Sequence, residues 1–387
     1  MTTPRLHLTS LVAALLLTLA ARAAAPQKVA DLPTLKQMPN PLIMNDGTPV
    51  KTPDQWRARR EEMKKILEDW EYGHMPPPPG NVTAKETDAK DLPAQNLHYR
   101  LLHLTFGPDS KLGFDLALFT PLNAKPPFPT ILSLSFAANE RAAAQYKAAF
   151  ARGYAVAVVG YQQLGADNKN FRQTAFFPAY PQYDWNDFSA WAWGLSRAVD
   201  YLDTDPSVDK NRLIATGTSR LGQAVLLAGA FDERISLVAP VAGGMALRFS
   251  GKNRGGGQGI DEVVDQNTYW FGPRFAEFKG QTDKLPCDQH WLLALAAPRP
   301  FILLNSLKDQ YGNPWAAAQS VLAAKPVYAF LHAQNNLGMN FRPGTHGMTA
   351  DDWSALLDFA DEKLLHKPPT RTFDHLPPNP SAPAANP

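Results

Sequence analysis

The stretch ATGTSRLGQA (residues 215–224) sets Ser219 between an apolar run and a helix-compatible one. A serine on a sharp strand-to-helix turn is lifted clear of its sheet, where the hydroxyl can attack an acyl carbon. The usual spacing of such a turn is G-x-S-x-G. Here Gly217 stands where that pattern asks, but the next glycine, Gly222, comes one place late, with Leu221 in its expected position. Both glycines suit a turn that crowds the strand and a helix whose first turn packs closely on the sheet. The competing reading is a serine that caps the following helix, a role serine often takes.

A serine hydroxyl becomes a useful nucleophile only when a histidine takes its proton and a carboxylate orients that histidine. In chains built around such a turn the order is serine, acid, histidine. Downstream, Asp309 follows the apolar strand FILLNS, and His346 lies in the glycine-containing loop FRPGTHGMT. His290 is the rival histidine, but it precedes an apolar helix rather than ending a strand, which points to capping or hydrogen bonding. His332 reads as a surface or helical residue. The rival carboxylates, Asp261 and Glu262, fall in GKNRGGGQGIDEVV, read as a loop over the functional edge of the sheet. Arg220 directly follows the serine. Its N–H suits an oxyanion hole, and its guanidinium adds positive charge where acyl transfer builds negative charge, or attracts a substrate carboxylate. A surface ion pair at the helix start is the alternative.

The elements that must position these groups are legible in outline. Short apolar runs at 128–136, 154–161, 212–219, 235–243 and 300–306 alternate with helical stretches. Continuous apolar strands are those buried on both faces, so a mainly parallel sheet covered by helices is expected. Alternating patterns at 96–107 and 113–122 predict antiparallel strands at its edge. Upstream, TPDQWRARREEMKKILEDWEYG (52–73) spaces Trp56, Met63, Ile66 and Trp70 as a helix, which MPPPPGN should end. The expected layout is a lead-in over 26–95 packing on the core, one catalytic α/β domain over 96–366, and a proline-rich disordered tail over 367–387.

With 44% hydrophobic and 19% charged residues, the 387-residue chain has ordinary globular composition. A net charge of +2 with signs interspersed argues against nucleic-acid partners and against a polybasic membrane patch. The lone Cys287 excludes an internal disulfide and a thiolate cluster, and the scattered histidines lack zinc spacing, so no metal or other cofactor is expected. The first residues carry Arg5 and His7, then an apolar run from Leu11 to Ala20 and small residues through Ala25. That run is too short to span a bilayer and reads as a signal peptide over 1–25, cleaved near Ala23 or Ala25. Export, to the periplasm or beyond, with no span after cleavage, is the expectation.

The segment Gly217-Thr218-Ser219-Arg220-Leu221-Gly222-Gln223 resembles the G-C-S-R-x-G-K signature of glucuronoyl esterases, carbohydrate esterase family 15, in which the second glycine is equally late. Segments 56–76, 191–205, 229–240, 285–300 and 342–353 are similar to family segments in the same order. The resemblance implies an α/β-hydrolase fold, a three-layer sandwich with a mainly parallel central sheet. It also implies metal-free hydrolysis of esters between glucuronic acid on xylan and lignin alcohols. It casts Ser219 as nucleophile, His346 as general base, Arg220 as oxyanion support and Asp309 as the acid. The family's other position for the acid holds Ala242 and Gly243 here. On the uronate side the chain departs from the family. Gln223 replaces a lysine similar to a sugar-hydroxyl contact, Tyr311 replaces a tryptophan, and Glu262, with Asp261, stands roughly where a family glutamate reaches the sugar. An esterase for acetyl or feruloyl sugars, or a non-catalytic carbohydrate-binding relative, are the other readings.

Overall fold

Alternate side chains of a strand point to opposite faces, and in β5 (Ala155–Gly160) every residue is buried. Ala157 and Val159 enter one core while Val156 and Val158 enter a second. Helices must therefore cover both faces. The computed structural model, which describes residues 27–378, is built in this way. The expected signal peptide and residues 379–387 of the expected tail lie outside the described residues.

Among the described residues the sheet has nine strands. Besides β5 they are β1 (Thr83–Leu92), β2 (Leu97–Phe106), β3 (Leu112–Pro121), β4 (Phe128–Ser135), β6 (Val208–Thr218), β7 (Leu237–Val241), β8 (Phe301–Ser306) and β9 (Leu337–Arg342), in the order β1-β2-β3-β5-β4-β6-β7-β8-β9. The ladders β1–β2, β2–β3 and β3–β5 are antiparallel, and those from β5 through β9 are parallel. On one face lie α1 (Pro53–Leu67), α3 (Asp187–Leu202), α4 (Arg220–Phe231), α6 (His290–Ala296) and α7 (Pro314–Phe330). On the other lie α2 (Lys147–Ala151) and α8 (Ala350–Leu365). The short α5 (Ile260–Gln266) stands near the carboxyl ends of the strands. This is the three-layer α/β-hydrolase arrangement. No helix among the described residues is long and apolar enough to cross a membrane.

Several details differ from the sequence expectation. The sheet begins before residue 96, because β1 pairs along the whole of β2. Its residues are nearly all exposed and half of them are charged, as suits an edge strand that must not recruit another, and so they carry no apolar signal. The first helix starts at a full capping box between Thr52 and Gln55, with Pro53 in its first turn. A π-helical turn, Glu68–Tyr72, continues it to Gly73, before the proline run. Gly73 has φ +71°, and a Cβ there would lie 2.3 Å from the Asp184 carbonyl oxygen, so only glycine serves. Asp261 and Glu262 sit in the first turn of α5 rather than in a loop. In the mostly exposed stretch 367–378, Phe373 packs on the core. The Met339 N–H donates to the Phe373 carbonyl, and Phe373 meets Phe359 edge to face.

The late glycine has a steric reason. A Cβ on Gly222 would lie 2.7 Å from the Val241 carbonyl oxygen and 2.9 Å from that of Gly217, both backbone atoms that cannot swing aside. Leu221, at the usual glycine position, is instead buried. Gly222→Ala is expected to destabilise the chain by about 2 kcal/mol, through overpacking of α4 against β7. Urea unfolding of the variant beside the wild type checks this.

Candidate active site

Open parallel sheets gather ligands beyond the carboxyl ends of their strands. Here β6, β7, β8 and β9 each deliver a loop to one pocket, lined by Ser219, Arg220, Ala242, Tyr311 and His346 among others.

Ser219 follows β6 directly and has φ +62°, ψ −129°, a left-handed conformation that a residue with a Cβ normally avoids. Its N–H is anchored on the Val241 carbonyl at 2.8 Å. Although it occupies the N-cap position of α4, its side chain makes no capping hydrogen bond, which leaves the hydroxyl to the pocket. The start of α4 also presents N–H groups without intrahelical acceptors and the positive end of the helix dipole.

His346 Nδ1 lies 2.9 Å from both Asp309 Oδ1 and Oδ2. An N–H there donates to the carboxylate, so Nε2 keeps its lone pair for proton transfer. Asp309 Oδ1 also accepts the N–H groups of Tyr311, at 3.0 Å, and Gly312, at 2.8 Å. Burial pushes this carboxyl up, but the imidazole and the two N–H groups outweigh it and hold it below the usual carboxylate range. Asp309 is thus ionised at neutral pH. Tyr311, half exposed at the mouth, meets the His346 ring edge to face at 5.1 Å.

Arg220 extends along the other side. Its Nε lies 2.8 Å from Asp167 Oδ2, and its Nη2 donates to the Tyr161 hydroxyl at 3.3 Å. The Nε–Oδ2 approach is an ion pair at an angle unsuited to a hydrogen bond. Phe136 and Tyr161 each place a ring centroid 5.5 Å from the guanidinium carbon.

Gln223 lines the pocket but turns its polar atoms into the protein. Its Nε2 donates to the Tyr72 hydroxyl at 2.9 Å and to Gln289 Oε1 at 2.5 Å, and its Oε1 accepts the Gly244 N–H at 3.1 Å. Gln289 Nε2 donates in turn to Glu71, which also accepts from the Cys287 thiol. Burial, reinforced by Asp288, pushes the Glu71 carboxyl up to about 8. Glu262 is not among the pocket residues. Its carboxylate accepts the N–H groups of Gly259 and Lys252, closing its own helix start. His290 is wholly buried, with Nε2 on the Pro39 carbonyl, and burial lowers it to about 3. His332 is exposed after α7.

Sequence reading missed Gln258, Phe188, Trp270 and Gln289 in the pocket wall, and Asp167 and Tyr161 beside Arg220. Gln258 stands in a glycine-rich stretch without periodicity, and its N–H reaches the pocket by donating to the Tyr311 carbonyl. Among the described residues no group of three or more histidines, cysteines or carboxylates could hold a metal ion.

Residues 108–332 match the family model described as fungal glucuronyl esterase. The chain is 30% identical to a carbohydrate esterase from an unknown prokaryotic organism, over 84% of this chain and 89% of the relative. It is 29% identical to a 4-O-methyl-glucuronoyl methylesterase of Phanerochaete carnosa, over 87% of this chain and 83% of that one. Among solved structures it is similar to a family 15 glucuronoyl esterase from Caldicellulosiruptor kristjansonii. The TM-score is 0.77 at 29% identity, covering 91% of this chain and 97% of the other.

The uncharged Glu71 beneath the pocket makes stability depend on pH. Its folded pKa, about 8, lies above its ordinary value of 4.5, so the native state keeps a proton that the unfolded chain releases. Stability from this group is complete below about pH 4.5 and is lost as pH rises to about 8, by up to about 1.4 kcal/mol per pH unit. The melting temperature of Glu71→Gln relative to wild type is expected to rise between pH 4.5 and 8 and then stay level. Thermal scans at pH 4, 6, 8 and 9 check it.

Proposed function

The chain belongs to the glucuronoyl esterase family, and on that premise we propose that it cleaves esters joining glucuronate on plant cell-wall polysaccharide to an alcohol, by acyl transfer through Ser219. It is a carboxylic ester hydrolase. The observation that carries the reading is the Asp309–His346 pair facing the pocket that also holds Ser219 in its left-handed turn.

In this mechanism His346 Nε2 takes the Ser219 proton as Oγ adds to the ester carbonyl. Asp309, ionised, stabilises the imidazolium that forms and keeps the ring in place. The negative charge on the tetrahedral intermediate falls beside the first N–H groups of α4 and the Arg220 guanidinium, donors already in position before the reaction starts. His346 then gives its proton to the leaving alcohol. A water that His346 activates attacks the acyl-enzyme, and Ser219 is regenerated with release of the uronic acid. Every proton and charge is handled by side chains and backbone, so the route asks for no cofactor. The signal-like first 25 residues support a site of action outside the cytoplasm, where such polymers are met.

A second reading concerns the acyl group. The donors of Gln223 are already used within the protein, and Phe188, Met245, Leu247, Val263, Trp270 and Phe271 give the pocket an apolar wall. This favours an acid carrying fewer recognised hydroxyls, such as the acyl part of an acetyl or feruloyl ester.

The test compares hydrolysis of benzyl glucuronate with that of acetylated and feruloylated sugars, using Ser219→Ala as control. Preference for the glucuronate ester is expected, as is a loss of about 10⁶-fold in kcat for Ser219→Ala and about 10⁴-fold for Asp309→Ala. Activity confined to the other esters would replace the first reading by the second. A Ser219→Ala variant as fast as wild type would end both.

A further inference from the structure

Arg220 has a long side chain with many rotamers, and a guanidinium serves an oxyanion only if it is already in place when the charge forms. What holds it comes from two segments distant in sequence. Asp167, in the loop after β5, sets Oδ2 2.8 Å from Arg220 Nε. The same Oδ2 accepts the Tyr161 hydroxyl at 3.2 Å, and that hydroxyl accepts from Arg220 Nη2 at 3.3 Å, so the three groups close a ring. Oδ1 accepts the Trp270 indole N–H at 2.7 Å, which ties the carboxylate to the pocket wall. The Asp167 side chain is 12% exposed and that of Arg220 27%, so water screens this pair less than a surface one. Asp167 has φ +51°, a strained backbone for a residue with a Cβ. A strained residue that presents its carboxylate to two donors and a guanidinium is what a positioning device requires.

We propose that Asp167 is the positioning residue for Arg220, holding the guanidinium at the elbow through an ion pair that Tyr161 and Trp270 lock in place. The proposal rests on the role assigned above to Arg220, and takes that role a step further back into the protein. The neighbouring Asp187, at the start of α3, sharpens it. Both its carboxyl oxygens are buried without a hydrogen-bond partner. Burial, with the Asp167 carboxylate as second cause, pushes Asp187 up to about 8. Asp187 is therefore uncharged at neutral pH, and the carboxylate that meets the guanidinium is that of Asp167, 2.8 Å from Arg220 Nε.

The charge can be removed with little change of shape. Asparagine tolerates the left-handed region and is nearly isosteric, so Asp167→Asn keeps an acceptor for the Trp270 indole and turns an amide donor toward the Tyr161 hydroxyl, while deleting the ion pair. The experiment measures kcat, KM and melting temperature for Asp167→Asn, Arg220→Ala and the double variant. It uses whichever of benzyl glucuronate, an acetylated sugar or a feruloylated sugar the wild type turns over fastest. Asp167→Asn is expected to lower kcat about tenfold with KM nearly unchanged and little loss of melting temperature. Arg220→Ala is expected to lower kcat about 10²-fold. The double variant should be no slower than Arg220→Ala alone, because Asp167 acts only through Arg220. Effects that multiply in the double variant, or an Asp167→Asn enzyme as fast as wild type or faster, would overturn the positioning role while leaving the oxyanion role of Arg220 intact. A full-speed Arg220→Ala enzyme, or a wild type silent on all three esters, would overturn the reading beneath it and this proposal together.

Discussion

Ser219 holds φ +62°, a conformation that costs a residue with a Cβ about 1–3 kcal/mol. The strain is sustained because the chain on either side cannot relax. Below, the Ser219 N–H is tied to the Val241 carbonyl across the β6–β7 pair. Above, α4 lies so close to β7 that Gly222 has no room for a methyl group. The turn therefore stays sharp, the serine side chain has no capping bond to make, and the first N–H groups of α4 stand beside it. The sheet order then fixes the rest, since β8 and β9 lie beyond β7 and end at the same level. Asp309 and His346 emerge from their carboxyl ends as neighbours.

The two sides of the pocket use charge differently. Around His346, a carboxylate is kept ionised by donors that outweigh its burial. Beneath Gln223, a carboxyl is kept protonated by its burial and by the neighbouring Asp288, which the hydrogen bonds from the Cys287 thiol and the Gln289 carboxamide do not outweigh. A lysine at position 223, the residue of the resembled signature, would place an ammonium in this region. Glutamine leaves the network neutral and closes its hydrogen bonds internally. Glutamine also removes a cation from the wall facing the acyl group, so that Arg220 is the charged residue among those lining the pocket besides any protonated His346.

Arg220 shows how a side chain next to the nucleophile depends on distant parts of the chain. Its ion pair, its hydroxyl partner and the rings near its guanidinium come from the segments after β4 and β5, and the indole that fixes Asp167 comes from the segment after α5. None of these is near residue 220 in sequence. The packing of α3, α4 and the loops over the strand ends brings them together.

The amino-acid sequence by itself determined what depends on local order. Apolar runs marked the buried strands β4 to β8, because a strand covered on both faces must be apolar throughout. The serine between Gly217 and Gly222, and the carboxylate and histidine at later strand ends, marked the candidate nucleophile, acid and base, since each chemistry needs its residue type at a chain turn. The edge strand β1 escaped, because an exposed edge is built from charged residues. Glu262 was expected in the pocket on position alone, and the tertiary structure instead spends its carboxylate on the start of α5. Gln223 kept its place in the wall, but the direction of its carboxamide was decided by Tyr72 and Gln289, residues on other elements. Asp167 had no local mark at all. Which polar groups are free to meet a substrate, and which are consumed within the protein, depends on contacts between distant segments, and only the folded chain decides that.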